Sequence, residues 1–83
     1  VTQIGSKATF TWRLTASHRT QSWEYFINGT RIASIDGAQA MPGSQVSHTL
    51  QNLPEGYYTI LARWNIADTP MAFYSCMDVM VTR

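Results

Sequence analysis

From Ala8 to Ala16 the chain alternates, with Phe10, Trp12 and Leu14 pointing one way and Thr11, Arg13 and Thr15 the other. That period of two predicts a strand with one buried face. The polar run Ser17-His18-Arg19-Thr20-Gln21-Ser22 reads as a loop. Alternation resumes with Trp23, Tyr25 and Ile27 on one side, then reaches Asn28-Gly29 before a returning strand from Thr30 to Ile35. Asn-Gly between two such runs predicts a two-residue hairpin, because a type I′ turn needs positive φ at both central positions. Asp36-Gly37 ends that strand, and Ala38 to Ser44, containing Pro42-Gly43, is a loop. Val46 to Leu50 forms a short strand. A long one runs to about Ile66, with Tyr58, Ile60, Ala62, Trp64 and Ile66 on one face. Asn65 to Met71 is a turn region. In the last strand, Phe73 to Val81, the residues Met77, Val79 and Val81 suit the core. Tyr74, Cys76 and Met80 then face outward, and an apolar patch of that kind implies a missing partner surface.

About seven short strands separated by turn signals, with no helical periodicity, predict one all-β domain over residues 1–83. The expected architecture is an immunoglobulin- or fibronectin-III-like antiparallel β-sandwich. Leu53, Gly56 and Tyr58 just before the long strand resemble a tyrosine corner, in which the phenol bonds back to upstream backbone. The 83 residues contain ten aromatics, three of them Trp, which supply the large buried area a short chain needs.

Charge changes the picture by exclusion. Six Lys and Arg against five Asp and Glu give a net charge of +1, spread without a run. A nucleic-acid footprint needs a clustered basic face. No stretch approaches the roughly 20 apolar residues of a membrane span. The first seven residues lack the regions of a signal peptide, as in a secreted chain after processing.

Candidate chemistry is thin. Asp68 and Asp78 are up to ~33 Å apart along extended chain, beyond the roughly 5–10 Å of a glycosidase pair. Glu24, Asp36 and Glu55 show no pairing logic, and no phosphate loop or nucleophile elbow occurs. His48 alternates with Val46 and Leu50 and reads as a strand histidine at the core's edge. His18 follows a strand end in a polar loop, where a neutral imidazole is free to meet a metal. Cys76 is alone, so it is either a buried thiol or half of a disulfide whose partner lies outside this chain.

Several segments, in order, resemble the C-terminal half of bacterial-type lytic polysaccharide monooxygenases, also called chitin-binding type-4 proteins. They are Phe10-Thr11-Trp12-Arg13-Leu14-Thr15-Ala16-Ser17-His18-Arg19-Thr20, Ser22-Trp23-Glu24-Tyr25-Phe26-Ile27, the stretch from Gly56 to Thr69, and Ala72-Phe73-Tyr74-Ser75-Cys76-Met77-Asp78-Val79. The resemblance implies copper held by a histidine brace, with His18 as the internal ligand. Phe73 would take the axial aromatic position and Ala16 that of the small residue packing above the metal. It implies C–H oxidation of insoluble chitin or cellulose, outside the cell. Position 1 is Val rather than His, so the expectation is an incomplete copper site, completed by an N-terminal portion that would also hold the partner of Cys76. Two other readings stand beside it. One is a non-catalytic carbohydrate-binding module using outward Tyr57 and Tyr74. The other is an interaction sandwich with no ligand of its own. Asn28-Gly29-Thr30 also fits the N-glycosylation pattern, though the hairpin turn accounts for it.

Overall fold

The computed structural model describes residues 2–82. Among them are seven strands and no helix: β1 (Thr2–Ile4), β2 (Ala8–Arg13), β3 (Thr20–Ile27), β4 (Thr30–Asp36), β5 (Gln45–Leu50), β6 (Gly56–Ile66) and β7 (Ala72–Val81). They form a five-stranded sheet in the order β1-β7-β6-β3-β4 and a two-stranded sheet β2-β5, packed as a sandwich. All pairs are antiparallel except β1 with β7, which run parallel.

The predicted turn chemistry holds. Asn28 and Gly29 have φ of 50° and 80°, the two left-handed positions of a type I′ turn, and Ile27 pairs with Thr30 across it. The Tyr58 hydroxyl donates to the Pro54 carbonyl at 2.7 Å, so the tyrosine corner is present.

Several expectations are corrected. The first long strand ends at Arg13 rather than Ala16, because residues 14–19 leave the small sheet. The polar run predicted as loop joins β3 from Thr20 onward, where pairing with Ile66 overrides local polarity. Thr2–Ile4, read only as an N-terminus, adds an edge strand. Glu24, assigned no partner, accepts hydrogen bonds on the outer face from Arg63, Arg31 and Asn65. Cross-strand neighbours meet there, a proximity that sequence spacing does not reveal.

The core divides in two. Phe10, Tyr25, Ile27, Leu50, Leu53, Ile60, Ala62, Val79 and Val81 form one cluster, and Trp23, Trp64 and Ile66 a second. Each large apolar side chain fully buried contributes roughly 1.5–3 kcal/mol. Met77, expected in the core, is more than a third exposed. Two strands span only about 10 Å against about 24 Å for five, so the small sheet leaves β7's first half uncovered. A cleft of about 300 Å³ remains there, bordered by Phe10, Trp12, Ser75 and Met77. On the outer face Tyr57, Tyr74, Cys76 and Met80 are exposed as predicted.

Candidate functional site

His18 lies in the link between β2 and β3, and that link is tied down on both sides. The Leu14 amide donates to Ser44 O, the Thr20 amide to Ala40 O at 3.0 Å, and the Arg19 guanidinium to Gln39 O at 2.9 Å. On the other side the Ala67 amide, just past β6, donates to Arg19 O at 2.8 Å. Thr20 connects these ties to the core. Its hydroxyl donates to His18 O at 3.1 Å and accepts from the Trp64 indole N–H at 2.8 Å. Gly37 packs flat on this residue, and a Cβ there would stand 2.5 Å from Thr20 O. Only glycine permits that approach.

The His18 ring meets two aromatic rings. It stacks on Phe73 with centroids 5.8 Å apart and planes 23° apart, and it lies 5.7 Å from Trp64. Trp64 and Phe73 are directly paired residues of β6 and β7, with centroids 5.2 Å apart. A cavity of about 250 Å³ is lined by His18, Ala16, Trp64, Phe73 and the end of β2 from Trp12 to Thr15. The three residues singled out in the sequence, His18, Phe73 and Ala16, therefore border one pocket. His18 is half-buried and Phe73 exposed, so the pocket opens to solvent. A larger cleft of about 650 Å³ runs between the edges of β4 and β5, lined by Ile32–Ile35 and Thr49–Pro54, and holds no titratable side chain.

His48 sits elsewhere, inside the sandwich. Its Nδ1 is hydrogen-bonded to the Tyr25 hydroxyl at 2.6 Å, its ring packs edge-on against Trp23, and burial lowers its pKa below 6.5. Asp78 Oδ1 accepts from the Thr59 hydroxyl on the outer face, and Asp68 lies exposed beyond β6. Among the described residues no group of three or more His, Cys, Asp or Glu converges on a metal-sized space. The arrangement is thus one imidazole against an aromatic wall. It suits one ligand of a late transition metal, with apolar groups limiting water on their side.

The family described as lytic polysaccharide mono-oxygenase, cellulose-degrading, matches residues 1–79. The chain belongs to that family. It is 48% identical over 82 residues to a lytic chitin monooxygenase of Streptomyces ambofaciens, covering 98% of this chain and 48% of the relative. A neutron crystallographic structure of a Jonesia denitrificans lytic polysaccharide monooxygenase superposes with a TM-score of 0.95 at 48% identity, covering 98% of this chain and 57% of that one. A Bacillus amyloliquefaciens CBM33 in complex with Cu(I) superposes with a TM-score of 0.68 at 31% identity, covering 98% and 55%. The chain spans about half the length of the curated relative and somewhat more of the two solved structures.

For copper, the described residues of this monooxygenase-family chain fit one imidazole arm and no complete ligand set. Val1, read in the sequence as replacing a brace histidine, lies outside the described residues. Two site residues escaped the sequence reading. By sequence Trp64 reads as a core residue alone and Thr20 as part of a loop. Alternation along both strands, Trp64 with Ile66 and Phe73 with Ser75, was the available signal that both rings face inward. Nothing in the sequence marked Thr20.

Proposed function

We propose that this domain is the C-terminal β-sandwich portion of a secreted copper-dependent monooxygenase acting on insoluble chitin or cellulose, with His18 as its contribution to the metal. The observation that carries the reading is the stacking of His18 on Phe73 in a solvent-open pocket bordered by Ala16. Bound copper supplies redox chemistry for oxidising a C–H bond of the polysaccharide. Within this chain, His18 donates a neutral ring nitrogen, a suitable copper ligand. Phe73 and Trp64 fix the ring's plane, and Thr20 holds the His18 carbonyl, so the imidazole is presented in one orientation. Ala16, which lines the pocket, is the small residue packing above the metal. The remaining ligands and much of the flat substrate surface are assigned to an N-terminal portion, which also covers the apolar outer face and pairs Cys76. The Streptomyces relative is a lytic chitin monooxygenase, which favours chitin as substrate.

Copper titration of this chain, followed by electron paramagnetic resonance, tests the ligand. One nitrogen ligand is expected, and His18→Ala removes it with a loss of affinity of roughly tenfold or more. Copper binding unchanged by His18→Ala defeats the assignment. A second reading, a polysaccharide-binding module without chemistry, is favoured by the exposure of Tyr57 and Tyr74 on the outer face. Retention on insoluble chitin that depends on those two rings and not on His18 would support it.

A further inference from the structure

The hairpin tip Asn28-Gly29 takes no part in the copper reading, yet it carries a reactive pair of groups. Ile27 and Thr30 close the ladder at this two-residue turn, and the Gly29 amide has no hydrogen-bond partner among the described residues. Both tip residues are exposed. Nothing lies within 4 Å of where a Gly29 Cβ would sit. A free backbone N–H thus follows directly on an exposed carboxamide, and glycine brings no side chain to hinder their approach.

We infer that Asn28 is a modification site, where the side-chain amide is lost to the Gly29 nitrogen and water converts the product to isoaspartate. The chain supplies its own controls, because the other two asparagines and the other Asx-Gly pair are closed to this chemistry. After Asn52, the Leu53 amide donates to Ser6 O at 2.9 Å, and Leu53 is buried. After Asn65, the Ile66 amide donates to Met71 O at 3.1 Å, and Asn65 Nδ2 is itself bound to Ser22 Oγ and Glu24 Oε1. Asp36-Gly37 has the required glycine, but the Gly37 amide donates to Gln21 O at 2.9 Å and Asp36 Oδ1 accepts from the Ala38 amide. Only at Asn28 is the attacking nitrogen unheld.

The step balances without oxidation or reduction, and water is the co-reactant. The Gly29 nitrogen, its proton taken by solvent hydroxide, bonds to Asn28 Cγ. The Cγ–Nδ2 bond breaks and ammonia leaves, giving a five-membered cyclic imide. Water then opens the imide on either side of the Gly29 nitrogen. Cleavage at Cγ leaves aspartate, and cleavage at the backbone carbonyl leaves isoaspartate. The attack requires rotation about ψ of Asn28, which is resisted mainly by the Ile27–Thr30 pair at the end of a hairpin on the sheet's edge. Isoaspartate inserts an extra backbone carbon, and a two-residue turn cannot absorb it while keeping that pair. One new carboxylate also takes the net charge from +1 to 0, where chains associate most readily. The tip is therefore a clock that loosens edge strand β4 as the protein ages.

The test ages the folded chain in heavy-oxygen water at mildly alkaline pH. Peptides are then mapped by mass spectrometry, with fragmentation that separates isoaspartate from aspartate. Label is expected at Asn28 roughly tenfold or more faster than at Asn52 or Asn65, about the factor that releasing one backbone hydrogen bond costs. Isoaspartate should be the major product, and the aged fraction should unfold at lower urea. Asn28→Gln, whose longer side chain needs a six-membered ring, should abolish labelling at position 28. Equal labelling of the three asparagines overturns the inference, as does faster change at Asp36 than at Asn28. So does labelling of Asn28 only in the urea-unfolded chain, because the turn then protects the pair. These readings use the unsubstituted chain, so they decide the matter even if Asn28→Gln fails to fold.

Discussion

Where β1 runs beside β7, Val79 and Val81 are buried between neighbours and join Ile27, Leu50, Leu53 and Ile60 in a closed aliphatic core. At the other end of the same strand, Phe73 to Asp78 is exposed on both faces, and the packing behind it consists of indole rings. The first end is stabilised by enclosure. The second holds its shape through ring stacking and one hydroxyl, Thr20, while staying open at the surface. Under the proposed function the pocket admits a metal and faces a solid substrate, so it cannot be closed over. Its rigidity has to come from behind.

The sharpest way to break this contrast is to truncate one large side chain at each end. Ile60→Ala, in the closed end, is expected to cost about 2–5 kcal/mol, enough to unfold much of a small domain. Phe73→Ala, in the open end, should cost about 1 kcal/mol or less while altering the copper spectrum, because that ring is 41% exposed. Urea unfolding with copper resonance on both variants checks the pair. Equal stability losses would erase the distinction.

A second comparison isolates the hydroxyl behind the site. Thr20→Val leaves the buried Trp64 indole N–H without its acceptor and frees the His18 carbonyl, for an expected loss of about 1–3 kcal/mol. Gly37→Ala should reproduce part of this by pressing on Thr20 O, at about 1–3 kcal/mol. Both variants are expected to broaden the copper signal. The conservative Thr20→Ser, which keeps the hydroxyl, should restore it.

Acid distinguishes the outer face of the large sheet from its interior. Glu24 is held at a pKa of about 2, against 4.5, first by its hydrogen bond from Arg63 and then by those from Asn65 and Arg31. Its contribution is complete above pH 4.5 and is lost as pH falls toward 2. With Arg31 well exposed, solvent screening reduces it to on the order of 1–2 kcal/mol. His48 acts in an earlier window. Its folded pKa lies below 6.5, so the unfolded chain takes up a proton first and stability begins to fall as pH drops through 6.5. Urea midpoints measured against pH should show two descents. Glu24→Gln should flatten the lower one and leave the upper intact.

The contrast also separates what could be read in the sequence from what could not. Strand alternation, the Asn28-Gly29 turn and the Tyr58 corner are local signals, and each one survives in the structure. The family resemblance led to His18, Phe73 and Ala16, and the fold brings them to one pocket. Met77 failed because alternation tells which face a residue takes, not whether a facing sheet reaches it. Thr20 with Trp64, and Glu24 with Arg63 and Asn65, depend on cross-strand neighbours 39 to 44 residues away in sequence. No local window contains those pairs.

The smallest expected effect tests whether the two ends are independent. Gly29 holds φ of 80° in the β3–β4 turn, a conformation a Cβ disfavours, and nothing lies within 4 Å of where that Cβ would sit. Gly29→Ala should therefore cost about 1 kcal/mol through backbone strain alone. Ile27, which opens this turn, pairs with Ile60, whereas the His18 link enters β3 at Thr20, opposite Ile66. The strain thus enters at the far end of β3 from the pocket and is expected to leave the copper spectrum unchanged. Distant substitutions with no shared partners add in free energy. Gly29→Ala combined with Thr20→Val should then lose the sum of the two single effects, as read from urea midpoints. A combined loss differing from the sum by more than about 0.5 kcal/mol would mean that β3 carries strain along its length and that the two ends are one cooperative element.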